Sequence, residues 1–300
     1  MRIRIVKLFA FLFVTLLVWE VVLRSLPIGI PRYDPDLFWT NFPTFGSQVN
    51  QLGFRGLLHP LNETDAFQIL TLGCSSTFGL GYRDANTYPR ILEKTLSNRF
   101  PKKTVRVINA GVDGYSSHQG LILLEKLTPN IRPDVVTFMF GNNDHYISRF
   151  GLKDTQRAAP ALSSWQKALH KSQSALAQLY LFISLSWGRQ AEAKGTRVPL
   201  DDFQRNLEKT EKFCKENNIR LLLLTYPSQS PDHPIKEYNQ LVRDFALANH
   251  VPIVDVARRL RPLGDEAYFR DKNHPSKLGH QKIAQWIADD LQEIMQESIL

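Results

Sequence analysis

Cysteine is scarce: Cys74 and Cys214 are the two in 300 residues. The first is expected at the end of a strand and the second inside a helix far along the chain. A bridge between them has little support, so the fold has to stand on its apolar core. Zinc-finger spacing is missing, and no run of Lys and Arg alternates with aromatics. The net charge of +8 therefore does not point to nucleic acid. A basic surface facing anionic lipid or an anionic glycan accounts for it equally well. No Gly-Lys-Ser/Thr follows a glycine-rich turn, which excludes a Walker A loop. Internal repeats and low-complexity stretches are also missing. With 43% hydrophobic and 22% charged residues, wholesale disorder is excluded. The length suits one large α/β domain with appendages.

The one long apolar run is at the N-terminus. Arg2, Arg4 and Lys7 precede Leu8 to Leu23, which is interrupted only by Thr15 and Glu20. The run is short for a span of about 20 residues. Ile3, Ile5 and Val6 extend it if the basic side chains snorkel. A secretory signal would begin the same way, but it needs a small-residue cleavage site, and Val-Leu-Arg-Ser-Leu-Pro-Ile-Gly offers none. Residues 1–26 are therefore expected to be a retained membrane anchor. Its basic flank stays cytoplasmic and everything after Leu26 lies outside.

Residues 27–66, rich in Pro, Gly and aromatics between Pro27 and Pro60, lack a helical period and are expected to form an extended connector. Beyond them strand and helix signals alternate. Strand-like runs occupy Phe67 to Leu72, Thr104 to Ile108, Asp134 to Phe140, Leu221 to Thr225 and Val251 to Val256. Helical runs occupy Thr87 to Leu96, Gln119 to Leu127, Asp201 to Glu216, Ile235 to Ala248 and Lys277 to Glu293. The alternation predicts right-handed crossovers and a central parallel sheet covered on both faces. Ligands of such sheets bind at the C-terminal ends of strands.

Four turns stand at those ends or follow them. Gly73-Cys74-Ser75-Ser76-Thr77 would lift a Ser hydroxyl to the top of the sheet at a helix N-terminus, where negative charge is favoured. A plain Ser N-cap is the commoner fate of such a residue. Thr77 replaces the last Gly of a Gly-x-Ser-x-Gly elbow, and the position is early for that fold. Asn109-Ala110-Gly111-Val112-Asp113-Gly114 could bring backbone N–H groups close to a ligand, or simply turn. Gly141-Asn142-Asn143-Asp144 holds an amide able to donate to an oxyanion, or an Asx turn. Asp271-Lys272-Asn273-His274-Pro275 pairs a general base with a carboxylate three residues earlier, able to fix its tautomer.

Taken together, these blocks resemble the SGNH/GDSL hydrolase superfamily from Phe67 to about Glu293, with Cys74 standing where the name-giving motif has Asp. The resemblance implies a three-layer, flavodoxin-like α/β fold behind an N-terminal transmembrane helix, with no metal and no cofactor. It implies Ser75 as nucleophile, His274 as base and Asp271 as its orienting carboxylate. The implied oxyanion hole is the backbone N–H of Ser75, the backbone N–H of Gly114 and the side chain of Asn143. Asn50-Gln51-Leu52-Gly53-Phe54-Arg55-Gly56 is similar to a segment found in bacterial, membrane-tethered members linked to exopolysaccharide or envelope glycans. An inner-membrane, single-pass protein with a periplasmic catalytic domain follows from that association.

The expected function is hydrolysis of acyl esters, acetyl foremost, on an envelope or extracellular glycan. The same site could pass the acyl group to a sugar hydroxyl as an O-acyltransferase, or act as a lipase or thioesterase. A non-catalytic envelope scaffold is the reading from another class, and the full residue set argues against it. The hydrolase domain is expected over residues 67–300 with an insertion at about 145–200. Within the insertion, Ala161 to Trp187 is predicted as a helix bordering the active-site mouth. Leu169, Leu176, Leu179, Tyr180 and Ile183 form its apolar stripe, with Lys167 and Lys171 opposite. Core packing, a lid and a membrane-facing element all remain open for it.

Overall fold

The computed structural model describes residues 2–26, 29–45, 47–56, 65–148, 151–157, 160–187, 195–229, 233–261 and 265–297. Parts of the expected connector, and Arg189 and Lys194 of the insertion, lie outside the described residues. In chain order the elements begin with α1 (Arg2–Arg24), β1 (Ile30–Asp34), β2 (Phe38–Phe42), β3 (Ala66–Gly73), α2 (Ser75–Phe78) and α3 (Tyr88–Arg99). There follow β4 (Thr104–Gly111), α4 (Ser117–Ile131), β5 (Val135–Met139), α5 (Ser164–Lys171), α6 (Ala175–Trp187) and α7 (Leu200–Glu216). The chain ends with β6 (Arg220–Leu224), α8 (Ile235–Asn249), β7 (Ile253–Val254), α9 (Val256–Leu260), α10 (Asp265–Tyr268), α11 (Lys277–Asp290) and α12 (Gln292–Glu297). They fall into two compact units, Met1–Gly53 with Ala158–Arg189, and Phe54–Arg157 with Gln190–Leu300.

The larger unit is an α/β sandwich around a five-stranded parallel sheet in the order β4-β3-β5-β6-β7. Central β3 is buried at every position, which is why its sequence is an apolar run rather than an alternation. The chain steps one way from β3 to β4 and the other way from there on. Right-handed crossovers therefore send α3 to one face and α4, α7 and α8 to the other. α11 returns to pack on α3, and α4 packs on α7. Register aligns Gly73 with Gly111 and with Met139, so three strands end level and their following turns meet at one edge. Gly111 is required there, since a Cβ on it would strike the backbone of Thr77 and Phe78.

His280 of α11 is buried against α3. Its Nδ1 accepts the Tyr88 backbone N–H at 3.2 Å, and its ring lies beside those of Tyr82 and Tyr88. Burial, then the positive groups His274, Arg55 and Arg270, push its pKa down to about 3. The unfolded chain binds a proton near pH 6.5 that the native state refuses, so this contribution is complete above pH 6.5 and is lost as pH falls toward 3. His280→Asn keeps an acceptor near the Nδ1 position without titrating. The wild type should lose about 2 kcal/mol more than this variant between pH 7 and pH 5. Thermal unfolding at both pH values measures it, and identical losses would refute the assignment.

The smaller unit joins α1 to a β1-β2 hairpin and to α5 and α6. The hairpin lies where the sequence suggests only an extended connector. Its strands pair from Ile30 opposite Phe42 to Asp34 opposite Phe38. The Asp34 carboxylate closes the loop by accepting the N–H groups of Asp36 and Leu37 at 2.9 and 2.8 Å. Ile30, Phe42 and Ala175 form a buried cluster, with Leu23, Leu26 and Leu179 packed on it. The segment expected as one helix from Ala161 to Trp187 is two, α5 and α6, broken at Ser172 to Ser174. Its apolar residue Leu179 serves the core of this unit.

Glu20 explains the break. From inside the apolar helix α1, its carboxylate accepts the Ser174 hydroxyl at 2.8 Å and the N–H groups of Ala175 and Leu176 at 2.8 and 3.0 Å. These are unpaired donors of the first turn of α6, capped by a side chain from another helix. Arg24, one turn on, pairs with the same carboxylate at 2.7 Å.

Candidate active site

Cys74 follows β3 with φ −107° and ψ −142°, outside both the helical and the extended regions, and Ser75 starts the single turn of α2. Gly79 ends that turn in the left-handed region, φ 77°. The Ser75 hydroxyl lies 2.8 Å from His274 Nε2 and 3.9 Å from Cys74 Sγ. Burial pushes the Cys74 thiol up to about 11, so it stays protonated and is no nucleophile. Ser76 points elsewhere, its hydroxyl sharing a hydrogen bond with the Tyr226 hydroxyl at 2.7 Å and lying 3.3 Å from the Asn273 carbonyl.

His274 Nδ1 lies 2.7 Å from Asp271 Oδ1. The same oxygen accepts the backbone N–H groups of Asn273 and His274 at 3.1 and 3.0 Å. Those bonds, the imidazole and its charge hold Asp271 below the usual carboxylate range, although burial acts first and in the opposite sense. The carboxylate is thus kept ionised by its own turn, and Nδ1 is fixed as the N–H donor.

The Asn143 amide nitrogen donates to the Tyr115 carbonyl at 2.9 Å, which leaves its second N–H available. Its loop hangs on Asp144, whose carboxylate accepts the Ser117 N–H and hydroxyl at 2.8 and 2.6 Å and the Gly141 N–H at 2.9 Å. Burial outweighs these bonds and pushes the Asp144 pKa up to about 6. Gly114 is in the left-handed region, φ 81°, and its N–H bonds the Asp113 carboxylate. Asp113 is raised by burial, opposed by the nearby His274 and by that bond. The structure thus gathers Ser75, His274 and Asp271 in one hydrogen-bonded chain. Gly114 and Asn143 sit on the turns that follow the neighbouring strands.

Several supporting residues escape sequence reasoning. Arg197 donates to the Gly114 carbonyl at 2.7 Å, to Gln119 Oε1 at 2.8 Å and to the Asp154 carboxylate at 2.7 Å. Asp154, with a side chain 1% exposed, also accepts the Ser116 hydroxyl at 2.7 Å. The only local sign of this clamp is a charge near either end of the insertion. Arg197→Ala should cost about 3 kcal/mol, since Asp154 loses its nearest cation and keeps Arg157 at 3.8 Å and the Ser116 hydroxyl, and should loosen the Gly114 turn. Thermal unfolding with kcat on a small ester tests it, and an unchanged melting temperature would count against the clamp. Arg55 likewise buttresses the Ser75 turn, lying 4.7 Å over the Phe78 ring. Among the described residues, no three His, Cys, Asp or Glu side chains gather to hold a metal ion.

The GDSL-like lipase/acylhydrolase family profile matches residues 71–282. A G-D-S-L family protein from Desulfitobacterium hafniense DCB-2 superposes with a TM-score of 0.51 at 18% identity, covering 74% of this chain and 98% of the other. An acetyl xylan esterase from Geobacillus stearothermophilus superposes with a TM-score of 0.50 at 20% identity, covering 76% and 94%. The acetyl xylan esterase AlAXEase gives 0.50 at 19%, covering 75% and 99%. No curated protein matches the sequence. These structures share the α/β fold of this chain, whose five-stranded parallel sheet the profile spans from β3 to α11. The chain belongs to the GDSL-like lipase/acylhydrolase family, the SGNH/GDSL hydrolases, and is an enzyme acting on ester bonds.

Proposed function

We propose that the chain is a membrane-anchored serine esterase that removes acyl groups, acetyl foremost, from a cell-envelope or extracellular glycan. The observation that carries this reading is the chain from Ser75 Oγ to His274 Nε2 at 2.8 Å and from His274 Nδ1 to Asp271 at 2.7 Å. His274 takes the hydroxyl proton as Ser75 Oγ attacks the ester carbonyl carbon. The oxyanion is received by the Ser75 N–H, the Asn143 amide and the Gly114 N–H, the last released from Asp113. Collapse expels the sugar hydroxyl, protonated by His274, and leaves an acyl-enzyme. Water then repeats the sequence, releasing the acid and restoring Ser75.

Acetyl is favoured because two structures of this fold bear the name acetyl xylan esterase. The test is intact-mass analysis after brief exposure to an activated acetyl ester. An acetyl adduct on the wild type, absent from Ser75→Ala, is expected. Timed addition of candidate glycans then separates hydrolysis from transfer, since a sugar acceptor would empty the adduct faster than water alone. No adduct under conditions of turnover would reject the acyl-enzyme.

The anchor reading rests on α1. Arg4–Arg24 covers 21 apolar-rich residues, about 32 Å at 1.5 Å per residue, against a hydrocarbon core of about 30 Å. Glu20 supports retention: cleaving α1 away would strip the cap from α6. A reporter fused after Leu26 should lie outside the cytoplasm, and the mature protein should keep its original N-terminus. N-terminal sequencing that begins near Ser25 or later would show a cleaved signal instead.

A further inference from the structure

The polarity of α6 is largely inside out: among its described side chains the exposed Ser184 turns its hydroxyl back to the Leu181 carbonyl at 2.9 Å. No charged residue occurs from Ala175 to Trp187. Its one amide, Gln178, is 0% exposed and donates inward to the carbonyls of Leu169, His170 and Ser172. Tyr180 and Ile183 face outward at 57% and 41% exposure. A helix apolar around its circumference is ordinarily enclosed. Here the polar group closes the joint with α5 while large apolar side chains are exposed, which is the arrangement of a lipid-facing element.

Its neighbours within the same unit extend the pattern. The N-terminus of α6 is capped by Glu20 of α1, whose own surface is apolar and exposed from Ile5 to Val22. Where α1 ends, the Arg24 carbonyl accepts the N–H of Phe45, a ring 81% exposed. Trp165 of α5, 51% exposed, lies 6.3 Å from the Tyr180 ring. Three exposed aromatic rings on segments bonded to the outer end of an apolar helix form the belt expected at a membrane–water boundary. Lys167 and Lys171, exposed on α5, add charges suited to anionic headgroups.

We infer that α5 and α6 form a second membrane-contacting element, a collar seated in the outer interfacial layer of the bilayer that α1 crosses. The occupant of the exposed α6 face is lipid. At 13 residues α6 is about 20 Å long, too short to span and suited to lying in the boundary layer. This rests on the anchor reading, and the experiment separates the two.

The full chain is reconstituted into phosphatidylethanolamine/phosphatidylglycerol vesicles with a single spin label at Tyr180→Cys or Ile183→Cys. Leu12→Cys in α1 and Lys209→Cys in α7 are the references. The native Cys74 and Cys214, 0% and 1% exposed, stay unlabelled. Both test positions are exposed, so the substitutions spare the core of the unit. Labels at Tyr180 and Ile183 should collide more with oxygen than with a water-soluble nickel chelate, as at Leu12, and the reverse should hold at Lys209. Tyr180 and Ile183 in water with Leu12 in lipid would overturn the collar and leave the anchor standing. Leu12 in water would overturn the anchor and the collar with it.

Discussion

Ser75→Ala should reduce turnover of an activated acetyl ester by roughly 10⁶ in kcat, to the residual level that binding and oxyanion donors alone provide in a serine hydrolase. The loss is expected to be this large because the Ser75 hydroxyl has no substitute. Cys74 is adjacent but stays a thiol, with its pKa pushed up to about 11 by burial. Ser76 is committed to Tyr226 and Asn273. Cys74→Ala should therefore keep most activity. Ser76→Ala should lose on the order of 2–10-fold, the worth of about 0.5–1.5 kcal/mol for one hydrogen bond. Folding should be intact in Ser75→Ala, because the hydroxyl bonds the His274 ring and, weakly, the Cys74 sulfur, and supports no backbone group by a bond seen among the described residues. Near wild-type turnover in Ser75→Ala, with Ser76→Ala inactive, would move the nucleophile.

Asn143→Ala is the second large loss: about 2.7–4 kcal/mol of transition-state stabilisation, or roughly 10²–10³ in kcat. The amide is held in place. Asn143 is 7% exposed, one N–H is spent on the Tyr115 carbonyl, and Asp144 pins the loop to Ser117 and Gly141. A pre-oriented amide gives its energy as charge develops on the carbonyl oxygen, so kcat should fall while KM changes little. Truncation also leaves the Tyr115 carbonyl short of one partner, a stability cost of about 1–3 kcal/mol that thermal unfolding reads separately. A loss below threefold in a well-folded variant would deny Asn143 the role.

The catalytic unit is legible in the sequence because its sheet is covered on both faces. Burial of β3 at all eight positions, and of Leu221 to Leu224 in β6, writes apolar runs that only a few folds accommodate. Level strand ends then place Ser75, Gly114 and Asn143 on turns at one edge, so a reader of strands also reads candidate positions. The smaller unit is not legible in this way. Pro31, Asp34 and Pro35 mask the hairpin, whose Ile30 and Phe42 find their core partner in Ala175 of a remote helix. Glu20 looks like a flaw in a membrane run until Ala175, 155 residues away, supplies an N–H. Arg197 and Asp154 pair across 43 residues. Such contacts have no spacing to betray them, since period reports which face is buried and says nothing of what buries it.

The Glu20 joint also sets a problem of timing. Glu20 and Ser174 are separated by 154 residues. At about 5–20 residues per second, roughly 8–30 s pass between the emergence of the carboxylate and that of the hydroxyl and amides that receive it. For that interval α1 carries an acidic group whose intended donors do not yet exist, with Arg24 its nearest counter-charge. Neither unit is a continuous stretch of chain: the late piece of the smaller one is synthesised between β5 and β6 of the larger. The ribosome therefore cannot deliver one unit complete before beginning the other. The polypeptide must wait for α6 before α1 acquires its final surroundings.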